Sequence, residues 1–221
     1  MKKSLTTGHS LCIALICCMT IVSCGYKKKE MKTTNLVQHD AQIKTLENMQ
    51  SAYKGEITAT TKYAAYSKQA EKEGYHQIAL LFDAVSAAER VHASNHKIVI
   101  EDGGATVPII IPEFTTKTTK ENLSEDIQDE AYEAKTMYPN FIKTALLADN
   151  QIAVLSLTFA KNTEKKHKRF FEETLAHLNA KTLDQLPTQY SVCPACGNTY
   201  SKAPKHCDFT LTERERFIVF Q

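Results

Sequence analysis

Apolar and small residues recur with a helical period over four long stretches of this chain. Residues 38–73 carry Ile43, Leu46, Met49, Ala52, Tyr53, Ile57, Thr60, Ala64 and Ala65 at roughly helical spacing, and Gly74 breaks the run as a glycine just past a helix end does. A second helix is expected over 75–100, through Ile78, Leu81, Phe82, Val85, Ala88 and Val91. The stretch 101–122, with Gly-Gly, two prolines and β-branched residues, reads as a long connection. Ser124 is the expected N-cap of a third helix over about 125–147, with acids in its first turn and Pro139 as a kink. A turn at 148–150 leads into a fourth helix ending near 180. Connections that run short, long, short predict an all-α four-helix bundle with one long crossover over 38–180. Pro187 then opens a loop-rich tail, 187–221, too small to build a core without a metal.

The N-terminus changes the picture of where the protein works. Lys2 and Lys3 precede an apolar run of twelve, "LCIALICCMTIV" (11–22), too short to span a membrane but suited to a signal peptide over 1–23. The run ends in "IVSC", which resembles a bacterial lipobox and marks Cys24 as the expected lipidation site, with ordinary cleavage nearby as the alternative. Acyl chains on Cys24 would hold the protein to a membrane on the periplasmic or cell-surface side, with 24–37 as a tether. Loss of the signal leaves 25 basic against 25 acidic residues, and no basic face that would ask for nucleic acid. It also leaves only Cys193, Cys196 and Cys207 besides Cys24, an odd set that favours metal ligation over a disulfide framework.

Ionisable residues fall on the four helices in matched pairs. Helix one offers Glu56. Helix two offers Glu89 and His92, helix three Glu130 and Glu133, helix four Glu164 and His167. Residues three apart share a helix face, so each pair can grip one object. Counted from the turns near 74 and 149, all seven lie 15 to 19 residues away, roughly 22–28 Å along their helices. Equal distance from a hairpin turn means equal height, so five carboxylates and two imidazoles should converge on one slab of the interior. Unpaired carboxylates there would be very costly, and the mixed donor set suits two iron or manganese ions. One such pair alone would read as an exposed helix surface.

These segments resemble the rubrerythrin family. The resemblance is carried by "YKGEITATTKYAAYSKQAEKEGYHQIA", "AERVHASNH", "TTKENLSEDIQDEAYEAKTMYPNFIK", "EKKHKRFFEETL" and the Cys-rich tail, and covers nearly all of 38–221. It implies a ferritin-like di-iron bundle with a rubredoxin-like tail. The family's ligands fall on Glu56, Glu89, His92, Glu130, Glu133, Glu164 and His167, its neighbouring tyrosines on Tyr63 and Tyr138, and its redox-linked ligand exchange on Glu133 and His92. The implied activity is peroxide reduction in oxidative-stress defence, with two iron ions (or manganese, or a mixed pair) and an external electron donor. It also implies a homodimer that brings one subunit's tail near the other's di-iron site. Two other classes stay open: a non-catalytic metal-binding lipoprotein, and a ferroxidase-like iron handler. His96, one turn beyond His92, could stand beside the metal ligands, but a surface or capping place is the expectation; His39, His76 and His177 are expected near solvent.

By the same resemblance the tail feeds electrons to the bundle from an iron held by two Cys-x-x-Cys knuckles. Cys193, Cys196 and Cys207 match three of its ligands, and Thr210 stands in the fourth place. Three arrangements are open: an iron or zinc on three thiolates with His206, Asp208 or water; a Cys193–Cys196 disulfide; or a metal-free relic.

Overall fold

A computed structural model describes residues 16–221, with side chains from Leu36 onward, so residues 1–15 of the expected signal segment and the side chain of Cys24 lie outside the described residues. Helix α1 spans Ile16–Lys72, and its backbone stays helical through 24–37. Gly74, at φ +83°, turns the chain into α2, His76–Asp102. After the crossover, α3 (Thr119–Tyr132) passes through a π-helical turn at Glu133–Met137 into α4 (Tyr138–Leu147), and Asp149 at φ +55° leads to α5, Gln151–Ala180.

The third helix begins earlier than Ser124 would have it. Thr118 caps it, its side chain accepting from the Glu121 amide while the Glu121 carboxylate accepts from the Thr118 amide, a full capping box. The "TTKE" segment carries that signature, whereas Ser124 lies inside the helix and donates back to the Lys120 carbonyl. The irregularity expected at Pro139 is shifted upstream. A proline has no N–H and its ring crowds the carbonyl four residues back, and the wider π turn at 133–137 sits where that carbonyl lies.

Two apolar cores flank the middle of the bundle. One gathers Tyr63, Tyr66, Phe82, Leu123 and Phe171; the other gathers Met49, Ile100, Tyr138 and Leu157. The tail folds into a three-stranded antiparallel sheet of β1 (Tyr190–Val192), β2 (Thr199–Tyr200) and β3 (Ile218–Phe220), in the order β2-β1-β3. Its own core is small: Cys193, Cys196, Tyr200, Cys207 and Phe217. The tail makes up the difference by borrowing from the bundle. Leu186, Tyr190 and Val192 belong to the first bundle core, Tyr190 meets Phe170 edge to face, and Phe209 stacks on Phe159 of α5.

Candidate metal centre

All seven expected donors lie at the middle of the bundle, and six of them form two overlapping groups. Glu56, Glu89, His92 and Glu164 make one; Glu89, Glu130, Glu164 and His167 make the other, with donor atoms in each within 4.8 Å of one another. Glu89 and Glu164 belong to both, and each bridges the two imidazoles. Glu89 lies 2.8 Å from His92 Nδ1 and 3.1 Å from His167 Nδ1; Glu164 lies 3.2 and 2.9 Å from the same two atoms. Two ions sharing two carboxylates, each with one further carboxylate and one imidazole, would fit this donor set. Glu133 stands outside both groups. It is half-buried and lines a cavity of about 620 Å³ whose walls include Glu89, Glu130, Tyr63, Lys62 and Asp126.

The electrostatics show how strained the donor set is when only protons balance it. Burial pushes the Glu56 and Glu130 carboxyls well above the usual range, and the charges of Glu89 and Glu164 add to the shift. Burial and the same two neighbours raise Glu133. Burial alone would push His92 and His167 down, but the facing carboxylates outweigh it, raising His92 well above its ordinary value and His167 to about 9. Glu89 is held low despite burial, because both imidazoles face it. Both oxygens of Glu164 and one of Glu130 are buried with no hydrogen-bond partner among the described residues. Orphaned buried oxygens beside imidazole nitrogens are what a metal pair would satisfy.

Neighbouring side chains fix the ligands. Tyr63 donates to Glu130 at 2.6 Å and Tyr138 donates to Glu56. Thr199 donates to the Gly197 carbonyl at 3.1 Å, so its oxygen is free to accept from His167 Nε2 at 3.0 Å. That bond leaves His167 Nδ1 as the metal-facing atom. Lys62 pairs with buried Asp126 at 2.7 Å and with Asp129 at 3.1 Å on the cavity wall. Burial raises Asp126 to about 6, against the pull of Lys62.

His96 departs from expectation. It is fully buried, with Nδ1 2.8 Å from the Ser156 hydroxyl and Nε2 3.4 Å from the Tyr138 hydroxyl. Its position one turn past His92 was the available signal, and the side chain turns inward because Tyr138 and Ser156 offer it partners. Burial, helped by the nearby His92, pushes its imidazole down to about 3, so it is neutral. His39 and His76 are exposed as expected; His177 is half-buried against the Thr182 hydroxyl.

The tail lies on its own chain's metal centre. A Cβ on Gly197 would stand 2.4 Å from His92 Nε2, and Asn95 donates to the Ala195 carbonyl at 3.0 Å. Together with Thr199 on His167, the first knuckle thus touches both metal-binding imidazoles without a second subunit. Cys193, Cys196 and Cys207 are buried free thiols with sulfurs within 4.8 Å of one another. The hydrogen bond from Cys196 holds the Cys193 thiol down to about 4, while the same contact pushes Cys196 up. Of the proposed fourth ligands, His206 and Asp208 are exposed.

A family model described as Rubrerythrin matches residues 47–175. The chain is 35% identical over 179 residues to nigerythrin of Nitratidesulfovibrio vulgaris, covering 80% of this chain and 86% of that protein. It is 31% identical over 168 residues to a rubrerythrin of Porphyromonas gingivalis, covering 74% and 84%. Among solved structures, fully reduced, all-ferrous nigerythrin superposes with a TM-score of 0.72 at 30% identity, over 80% of this chain and 86% of that one. A bacterioferritin of Desulfovibrio desulfuricans, at 18% identity and a TM-score of 0.61 over 76% of this chain and 98% of that one, shares the fold.

Proposed function

The chain belongs to the rubrerythrin family, and from that premise we propose that it reduces hydrogen peroxide to water at two iron ions held in the bundle. The observation that carries the reading is the pair of donor groups sharing Glu89 and Glu164, with Glu133 beside them on a cavity wall. The overall change is H₂O₂ + 2 H⁺ + 2 e⁻ → 2 H₂O. When bound, the ion pair supplies the two electrons and the Lewis acidity for breaking the O–O bond.

The chain's own residues supply access, orientation and protons. The cavity of about 620 Å³ admits a molecule the size of peroxide to the face formed by Glu89, Glu130 and Glu133. Tyr63 and Tyr138 keep their phenolic protons, since burial raises both well above the usual range. Each proton is aimed at a ligand oxygen, on Glu130 and Glu56 respectively, which fixes those carboxylates. Glu133 lines the same cavity wall, beside the face formed by Glu89 and Glu130. Electrons from an external donor enter through the tail, a route supported by the contact of its knuckle with His92 and His167. Lipid attachment at Cys24, supported by "IVSC", would put this chemistry at the outer side of a bacterial membrane. Among the described residues no helix is long and apolar enough to cross one.

Stopped-flow mixing of the reduced, iron-loaded protein with peroxide tests the reading. Oxidation by peroxide should far outpace oxidation by O₂, and Glu130→Ala should lose both iron and turnover. Inertness toward peroxide with full iron loading would leave a metal-holding protein, and faster oxidation by O₂ an iron oxidase. Incorporation of a palmitate analogue, abolished in Cys24→Ser, tests the anchor.

A further inference from the structure

We propose that the tail binds one divalent transition-metal ion through Cys193, Cys196, Cys207 and the hydroxyl of Thr210, with the hydroxyl position open to exchange. The argument stands apart from the peroxide reading and rests on two turns that repeat each other. In the first, the Gly197 amide donates to the Cys193 carbonyl at 2.9 Å, and Gly197 sits at φ +78°. In the second, the Leu211 amide donates to the Cys207 carbonyl at 3.0 Å, and Leu211 sits at φ +55°. A leucine in that left-handed region is strained, so the fold holds this turn firmly in shape. Within the repeat Thr210 takes the place that Cys196 has in the first turn.

Distances agree with that placement. Thr210 Oγ1 lies 3.4 Å from Cys193 Sγ, the same separation as Cys196 Sγ from Cys207 Sγ. Thr212 Oγ1, 2.8 Å away, orients the Thr210 hydroxyl, and the Tyr200 hydroxyl oxygen lies 3.5 Å from Cys207 Sγ. The other candidates are engaged elsewhere. The Asp208 carboxylate accepts from Tyr200 at 3.2 Å and pairs with Lys166 at 3.5 Å, while exposed His206 bridges Glu213 through its backbone. Three thiolates and one neutral hydroxyl make a soft, four-coordinate site whose oxygen donor is the weakest ligand. An added thiol can therefore displace it.

Cobalt(II) titration of the full mature chain tests this, because the bundle's donor groups contain no sulfur and thiolate-to-cobalt absorption reports on the tail alone. The wild-type protein should show these bands, and they should shift when 2-mercaptoethanol is added. Thr210→Cys should intensify the bands and abolish the shift. Thr210→Ala should weaken cobalt binding about tenfold, and Thr210→Ser should match wild type. Absence of the bands in wild type, with all three cysteines titrating as free thiols, overturns the proposal. So does an unchanged spectrum in Thr210→Cys, wild-type affinity in Thr210→Ala, or loss of the bands in His206→Ala or Asp208→Asn.

Discussion

In the bundle, donors arrive on four separate helical segments whose turns at Gly74 and Asp149 set a common height; in the tail, three thiols and a hydroxyl arrive on two turns of one short segment. The bundle surrounds its donors with its own apolar cores above and below. The tail buries its sulfurs in a core of five residues and leans on the bundle for the rest. Long helices can hold costly carboxylates in place because packing far from the site fixes their backbone. A segment as short as the tail depends on what it docks against and on what it binds.

Removing a shared donor should break the comparison most severely. Glu164→Ala takes one ligand from both groups at once, so metal analysis should find both bundle ions lost and peroxide consumption down by more than about 100-fold, the upper end of what losing even a supporting residue costs. The tail's cobalt bands should persist in that variant, which separates the two centres.

A pH series of the metal-free protein comes next. His167 is raised from its ordinary 6.5 to about 9, so its contribution is fully present below pH 6.5 and fades as pH rises through about 9. That window is worth on the order of 3 kcal/mol, and thermal unfolding should show stability falling across it. Ions that require neutral imidazole should reverse the slope, because binding strengthens as the protons leave.

Gly197→Ala probes the seam between the two regions. Gly197 and Gly74 both have positive φ, but a Cβ at Gly74 meets nothing within 4 Å while one at Gly197 strikes His92. Gly74→Ala should cost about 1–2 kcal/mol for the backbone alone. Gly197→Ala should cost more, and should also perturb the electronic spectrum of the iron-loaded bundle. The smallest expected effect is Asn95→Ala, which deletes one bond to the Ala195 carbonyl and should lower stability by about 1 kcal/mol in urea unfolding.

The sequence made the bundle centre legible because its signal is repeated: Glu-x-x-His twice, at matched distances from two turns, cannot be produced by a single surface accident. Single features were harder to read. His96 shares a helix face with His92, but that spacing alone does not separate a buried from an exposed histidine, and its role depends on Tyr138 and Ser156 from distant parts of the chain. Ser124 drew the helix start because acids follow it, although Thr118 and Glu121 carry the reciprocal cap. The docking of the tail on its own bundle was not legible at all. It includes Gly197 meeting His92, a contact between residues more than a hundred positions apart, for which no local pattern exists.

That contact sets how the two centres respond to dilution. Residues 92 and 197 belong to one polypeptide, so their encounter is a first-order event governed by an effective concentration rather than by the amount of protein present. A few widely scattered copies would keep tail and bundle as closely paired as a concentrated solution does.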